Sequence, residues 1–350
     1  MTTPAAFRLA PLLAALCLGS LGAQAASQAP TAPADPAAAS VSEVPGAPTA
    51  PLPETCYLFS YFTKNGQDGL RLAWSRDGYV WEDVPGGPFL APVLEDKIMR
   101  DPCIQQGPDG RFHMVWTTSW SKGGFGYASS EDLLHWSEQS YVPAMAHEPK
   151  VQNTWAPELS YDTASGEWLI IWSSTITGRF ADTDPKVGEG GDKKILNHRL
   201  YATRTRDFRN FSPTSLFYDD GYSVIDATLV PVGDRVAMVV KDERISPEPR
   251  KDLRIAWARD LRAPFGTSAP SFTRGMIPAW LEGPTIVKIG AKWFLYADAY
   301  RDKHYVLLTS TDFASWKDET AALRYPKGLR HGTAFAVKRE VLQRLLARGK

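Results

Sequence analysis

Three carboxylates stand at the heads of short apolar runs of the kind a buried strand uses. Asp101 opens "DPCIQQ" (101–106), Asp226 is second in "IDATLV" (225–230), and Glu282 opens "EGPTIV" (282–287). A carboxylate entering a buried strand costs free energy unless something compensates. Grouping several costs more, because like charges raise at least one pKa. Stability alone has no reason to assemble such a set; acid–base chemistry does. Cleavage of a glycosidic bond needs a protonated acid at the leaving oxygen and an ionised base or nucleophile on the opposite face of the sugar. Glu282 reads as the acid, with a further carboxylate beside it to favour its protonated form and orient it. Singly, each residue also has a bland reading: Asp before Pro starts turns, Asp226 can cap one, and Glu282 can be an exposed strand end. Glu158 in "WAPEL" lies slightly deeper in its run, and His331 opens a last one.

The chemistry requires elements that bring these residues together, and an internal repeat supplies them. Five segments share small or apolar residues, then Asp, then an aromatic four or five places on: "LAWSRDGYVW" (72–81), "YASSEDLLHW" (127–136), "YATRTRDFRNF" (201–211), "IAWARDLRAPF" (255–265) and "LLTSTDFASW" (307–316). Their aspartates, Asp77, Asp132, Asp207, Asp260 and Asp312, read as hairpin-turn residues bonding to local backbone. Ahead of each copy runs a buried-strand pattern such as "EWLIIWSSTI" or "KWFLYAD". Turns such as "GPDG" (107–110) and "TASG" (163–166) separate four of these from a short strand upstream. The unit is a four-stranded meander of roughly fifty residues, and radial repetition of such sheets is a β-propeller. The expected fold is therefore all-β: a five-bladed β-propeller of four-stranded antiparallel blades. The first copy lacks an inner strand and the chain ends with a spare, "HGTAFAV" (331–337), so the C-terminal strand should close the first blade. "REVLQRLLARG" then reads as a terminal helix. In such a ring the heads of the inner strands gather at one end of the axis, at one structural phase.

"MRDP" with Asp101, "WAPE" (155–158), "IDA" with Asp226 and "EGP" with Glu282 resemble the ordered motifs of glycoside hydrolase family 43 and its relatives. The resemblance covers residues 55–340 in order. It implies a five-bladed propeller enzyme acting on arabinose-, xylose- or galactose-containing polysaccharides by inversion. Asp101 would be the general base, Glu282 the general acid and Asp226 the pKa modulator. It also implies a histidine near the pit that helps hold an ion or water, a place that His331 fits. A structural calcium ion near His331 is implied in the same way, and no cofactor is required. Glu158 stands where many relatives carry Asp. No "NDPNG"-like stretch precedes the base motif, which disfavours a retaining fructan-cleaving enzyme.

Trp155, Trp120, Trp172 and Trp280 lie near inner-strand edges, where rings stack on sugars or pack in the core. Arg100 or Lys241 would contact sugar hydroxyls or pair with the carboxylates. The substrate-binding candidates are thus Trp155, Glu158, Arg100, Trp120, Lys241 and His331. An insertion at 177–197, containing Gly188, Gly190 and Gly191, reads as a cover over the pit, and its Asp182, Asp184 and Asp192 as solvated.

The 39 basic side chains equal the 39 acidic ones, which argues against a nucleic-acid binder. Arg8, an apolar run and Ala23-Gln24-Ala25 form an export layout, so residues 1–25 read as a signal peptide and the product as periplasmic or secreted, without stable membrane insertion. The Ala/Pro-rich residues 26–54 read as a disordered tether, leaving 55–350 as the catalytic domain. Export permits a bridge between Cys56 and Cys103, although both also read as buried thiols. A monomer is expected, with an oligosaccharide or polysaccharide as its partner. The competing readings are a non-catalytic carbohydrate-binding propeller, which needs no acid pair, and a protein-interaction scaffold, which leaves the carboxylates unexplained.

Overall fold

Each repeat motif closes a hairpin by the same local bonds. In the computed structural model, Asp77 Oδ1 accepts the N–H groups two and three residues on, at Tyr79 and Val80. Asp132, Asp207, Asp260 and Asp312 do the same at their own turns. In four copies a hydroxyl two residues earlier (Ser75, Ser130, Thr205 or Ser310) accepts the N–H that follows the aspartate. In the fourth copy Ala258 stands there, and the aspartate holds the turn without it.

The structure describes residues 51–183, 185, 189 and 195–348. The expected signal peptide, most of the tether, and Asp184, Gly188, Gly190, Gly191 and Asp192 of the insertion lie outside the described residues. Five antiparallel sheets follow in order. The first holds β1 (Thr55–Phe62), β2 (Arg71–Ser75) and β3 (Trp81–Asp83). The second holds β4 (Arg100–Gln106), β5 (Phe112–Thr117), β6 (Phe125–Ser130) and β7 (Ser140–Val142). The third holds β8 (Trp155–Asp162), β9 (Glu167–Ser174), β10 (Arg199–Thr205) and β11 (Ser215–Tyr218). The fourth holds β12 (Val224–Val232), β13 (Arg235–Asp242) and β14 (Asp252–Ala258), and the fifth β15 (Glu282–Ile289), β16 (Lys292–Ala299), β17 (His304–Ser310) and β18 (Lys317–Asp318). Last comes β19 (Arg330–Lys338), which pairs with β1 and completes the first sheet in the order β19-β1-β2-β3. Helix α1 (Arg339–Ala347) follows at once and buries Val341, Leu342 and Leu345.

Inner strands β19, β4, β8, β12 and β15 pack successively on one another and back to β19, which makes the ring of a five-bladed propeller. The second strands read as continuous apolar runs because both their faces are covered. Along β9, Leu169 and Ile171 face the fourth blade while Trp168, Ile170 and Trp172 face the second. Five apolar clusters result, one between each pair of neighbouring blades. Trp172 thus belongs to the core and not to a sugar platform. The fourth sheet has three regular strands. Its outer place is taken by residues 266–269, bracketed by Pro264 and Pro270, with two backbone bonds to β14 (Gly266 N to Trp257 O, 3.0 Å; Ala269 N to Ile255 O, 2.9 Å). Proline, which has no donor, explains the irregular edge.

Cys56 and Cys103 are free, buried thiols. Leu52 packs against the first cluster, and Pro53 and Glu54 carbonyls accept bonds from Arg339, so the chain is docked a few residues before the expected boundary. No helix among the described residues is long and apolar enough to cross a membrane.

Candidate active site

Every inner strand carries the same irregularity where it enters the ring. Arg100 pairs with Thr117, but the next regular pair is Cys103 with Val115, so two residues of β4 oppose one of β5. The same bulge follows Trp155, Ile225, Glu282 and Arg330. A bulge kinks the strand and re-aims the side chains beside it. Asp101, Ala156, Asp226 and Gly283 all take the left-handed region there, with φ of 52, 47, 52 and 55°. For the two aspartates and the alanine that conformation costs free energy, which the surrounding ring must offset.

The bulge sets three rows around the axis. The first is Arg100, Trp155, Ile225, Glu282 and Arg330; the second is Asp101, Ala156, Asp226, Gly283 and His331; beyond it come Cys103, Glu158, Thr228, Thr285 and Thr333. The expectation of three carboxylates at one phase is therefore corrected. Asp101 and Asp226 share a row, with His331 as its third polar member, while Glu282 stands one residue earlier, level with two arginines. All three carboxylates nevertheless line one cavity of about 900 Å³, together with Arg100, Thr117, Trp120, Trp155, Lys241, Arg330 and His331.

His331 Nδ1 lies 3.3 Å from Asp101 Oδ1 and 4.0 Å from Asp226 Oδ2. Burial opposes a charged imidazole, but the bond to Asp101 and the charges of Asp226, Asp101 and Glu282 outweigh it, raising the His331 pKa to about 9. Burial likewise opposes ionised Asp101, yet His331, Arg100 and the Thr117 hydroxyl (2.8 Å) bring it down to about 2. Asp226 goes the other way. Burial pushes it up to about 6, against His331 and Lys241 and with the repulsion of Glu282 and Asp101. Its Oδ2 accepts the Gly283 N–H at 3.0 Å, which fixes the backbone next to Glu282. Glu282 itself is gripped by cations: Arg330 Nη2 lies 3.1 Å from Oε1, and Lys241 Nζ 3.4 Å from Oε2. The carboxylate crowding expected around Glu282 thus falls on Asp226.

The other sequence candidates divide. Lys241 is fully buried and pairs with Glu243 (2.9 Å) as well as Glu282, so pairing and not hydroxyl contact is its role in the free protein. Trp120, 45% exposed, and Trp155 meet edge to face at the wall, with ring centroids 5.6 Å apart. Glu158 is not among the lining residues. It bonds Thr228 Oγ1 (2.6 Å) deeper on the axis, where burial pushes it up to about 7. Trp280 lies beside Arg301, 3.4 Å from ring centroid to guanidinium carbon, outside the lining. From the insertion, Asp182 and Glu189 line the cavity, and Glu189 bonds Lys251 (2.8 Å) and Tyr300 (3.2 Å).

Sequence reasoning missed Arg330, Thr117, Lys251 and Tyr300. Arg330 had a readable signal, a basic residue at an inner-strand head directly before His331. Thr117 had none, because its bond to Asp101 depends on the bulge. At the place where a calcium ion is implied, His331 Nδ1 faces the Asp101 and Asp226 carboxylates directly. Among the described residues no group of three or more His, Cys, Asp or Glu is arranged to hold a metal.

The chain has recognisable relatives among known proteins. The sequence profile of a family described as "probable glycosyl hydrolase domain", related to family 43, matches residues 53–342. An alpha-L-arabinofuranosidase of Bifidobacterium longum subsp. longum is 26% identical over 202 residues, which cover 53% of this chain. The match spans only 18% of the length of that curated relative. Among solved structures, an alpha-L-arabinofuranosidase from Lactobacillus brevis aligns with 67% of this chain and 74% of its own, at 17% identity and a TM-score of 0.48. A GH43_1 enzyme from Xanthomonas citri complexed with xylose aligns with 67% and 75%, at 11% identity and a TM-score of 0.49.

Proposed function

The chain belongs to the family of probable glycosyl hydrolase domains related to glycoside hydrolase family 43, and from that premise we propose that it hydrolyses arabinose-, xylose- or galactose-containing oligosaccharides or polysaccharides. The observation that carries this reading is the delivery of Asp101, Asp226 and Glu282 from three separate blades into one cavity. The name of the arabinofuranosidase relative puts arabinofuranosyl groups first among the sugars to try.

In this scheme Asp101, held ionised by His331, accepts a proton from the attacking water. Glu282, paired with Arg330 and Lys241 in the free protein, takes up a proton from solvent before it gives one to the leaving oxygen, and the carboxylate left behind returns to those cations. Asp226 positions Glu282 through the Gly283 N–H. Inversion follows if the two reacting carboxyls stand on opposite faces of the sugar with room for water between them. No step runs through a metal ion or another cofactor. Glu189, tied to Lys251 and Tyr300, walls one side of the cavity, which supports attack at a chain end. The export layout supports a periplasmic or secreted site of action.

Replacing Glu282 with Gln or Asp101 with Asn should lower kcat by about 10²–10⁴ while circular dichroism still shows the folded wild-type spectrum at the assay temperature, even though loss of the pairs with His331, Arg330 and Lys241 lowers the melting point. Arabinofuranosyl, xylosyl and galactosyl chromogenic glycosides are the substrates to use. A non-catalytic carbohydrate binder would retain polysaccharide and hydrolyse none of them.

A further inference from the structure

Among the described residues six cationic side chains line the cavity, and five of them are neutralised. Lys241 has Glu243 and Glu282, Arg244 has Asp242, Lys251 has Glu189 and Glu243, Arg330 has Asp298 and Glu282, and His331 has Asp101. Arg100 alone, among the described residues, has no carboxylate within ion-pair distance. Its one polar partner is Asn65 Oδ1, 3.4 Å from Nη1, a long bond to a neutral amide. Its guanidinium lies 4.6 Å from the Phe62 ring centroid and 4.3 Å from that of Trp120. Trp120 is in turn held by its own indole N–H bond to Asn65 Oδ1 at 3.0 Å.

Two aromatic rings flank the guanidinium but satisfy none of its donors. A guanidinium carries five N–H donors in a rigid fork that matches a carboxylate bidentately. Arg330 serves as an internal comparison. It occupies the same row on the neighbouring blade, and there two acidic residues of this chain, Asp298 and Glu282, take its donors. Arg100 has the same residue type, the same row and the same cavity, but the charge of Asp101 reaches it only from beyond ion-pair distance and no carboxylate takes its donors. Flanked by two rings and half-buried, it keeps its donors available for one.

We propose that Arg100 binds the carboxylate of a uronic acid residue, so that the substrate is an acidic saccharide in which the hydrolysed sugar or its neighbour is a hexuronate. This rests on the glycosidase reading above and narrows it. The fork favours a planar carboxylate, and Trp120 beside it offers an apolar edge to the ring that carries the group.

The test is calorimetric binding to the full-length Glu282→Gln protein, which removes turnover. The probes are D-galacturonate and D-glucuronate against D-galactose and D-glucose, pairs that differ only in the carboxylate. The acidic sugar should bind at least about tenfold more tightly, less so at high salt. Adding Arg100→Met should abolish the preference, and Arg100→Lys, which keeps the charge but not the fork, should retain part of it. Equal binding of acidic and neutral sugars, no binding of either, or a preference that survives Arg100→Met would each overturn the proposal. Its failure is separable from that of the glycosidase reading. Wild-type hydrolysis of neutral arabinosides without uronate preference leaves the enzyme and removes the subsite. Arg100-dependent uronate binding with no hydrolysis of any glycoside does the reverse.

Discussion

At His331, burial and carboxylate charge act in opposite directions, and the carboxylates win, with consequences for stability as well as chemistry. A folded-state pKa raised from 6.5 to about 9 means that the stabilisation is complete below pH 6.5 and is lost as pH rises through 9. Chemical unfolding should therefore show a decline of roughly 3 kcal/mol between these limits, and His331→Gln should flatten it; an unchanged slope in that variant would contradict the electrostatic account. Asp101 has the opposite sign: lowered from 3.8 to about 2, its contribution is present above 3.8 and fades as pH falls through 2. The sequence made Asp101, Asp226, Glu282 and His331 legible as candidates, because polar residues at the heads of apolar strands are anomalous. It did not reveal which carboxylate would be crowded. That depends on Lys241 and Arg330 reaching Glu282 from other blades, a matter of three-dimensional distance.

The hairpin and the bulge are the two elements the chain repeats, and they differ in how openly they are encoded. The hairpin aspartate bonds within three residues of itself, so its signature survives in the linear pattern. At Asp132, Oδ1 accepts Leu134 N and His135 N, each at 2.8 Å, and these bonds outweigh burial and lower its pKa to about 2. Asp132→Ala should cost about 1–2 kcal/mol, and Asp132→Asn, which keeps the acceptor, clearly less, as read from urea midpoints. The bulge has no comparable signature. It inserts one residue between Arg100 and Cys103 through a positive φ, and the residues doing so (Asp101, Ala156, Asp226, Gly283) range over carboxylate, methyl and hydrogen. Sequence alignment of the inner strands therefore put Glu282 one residue out of phase.

Closure of the ring joins residues from opposite ends of the described chain, and it also carries function, because β19 brings Arg330 and His331 into the cavity. That closure was legible from an unpaired first blade and a spare last strand; the three regular strands of the fourth blade were not, although Pro264 and Pro270 mark the place. The seam is tight at Gly332, where a Cβ would lie 1.7 Å from the Ser60 carbonyl oxygen. Gly332→Ala should cost roughly 2–4 kcal/mol, lower Tm by several degrees, and reduce activity with it. In the proposed scheme blades two, four and five supply a base, a positioning carboxylate and an acid to a single sugar. Its most direct test is proton NMR of the first product released by the wild-type protein from an arabinofuranosyl or xylosyl substrate. Inverted anomeric configuration, seen before mutarotation and lost in the Glu282→Gln protein, is the result expected. A product of retained configuration, or an equal rate of release by that variant, would contradict it.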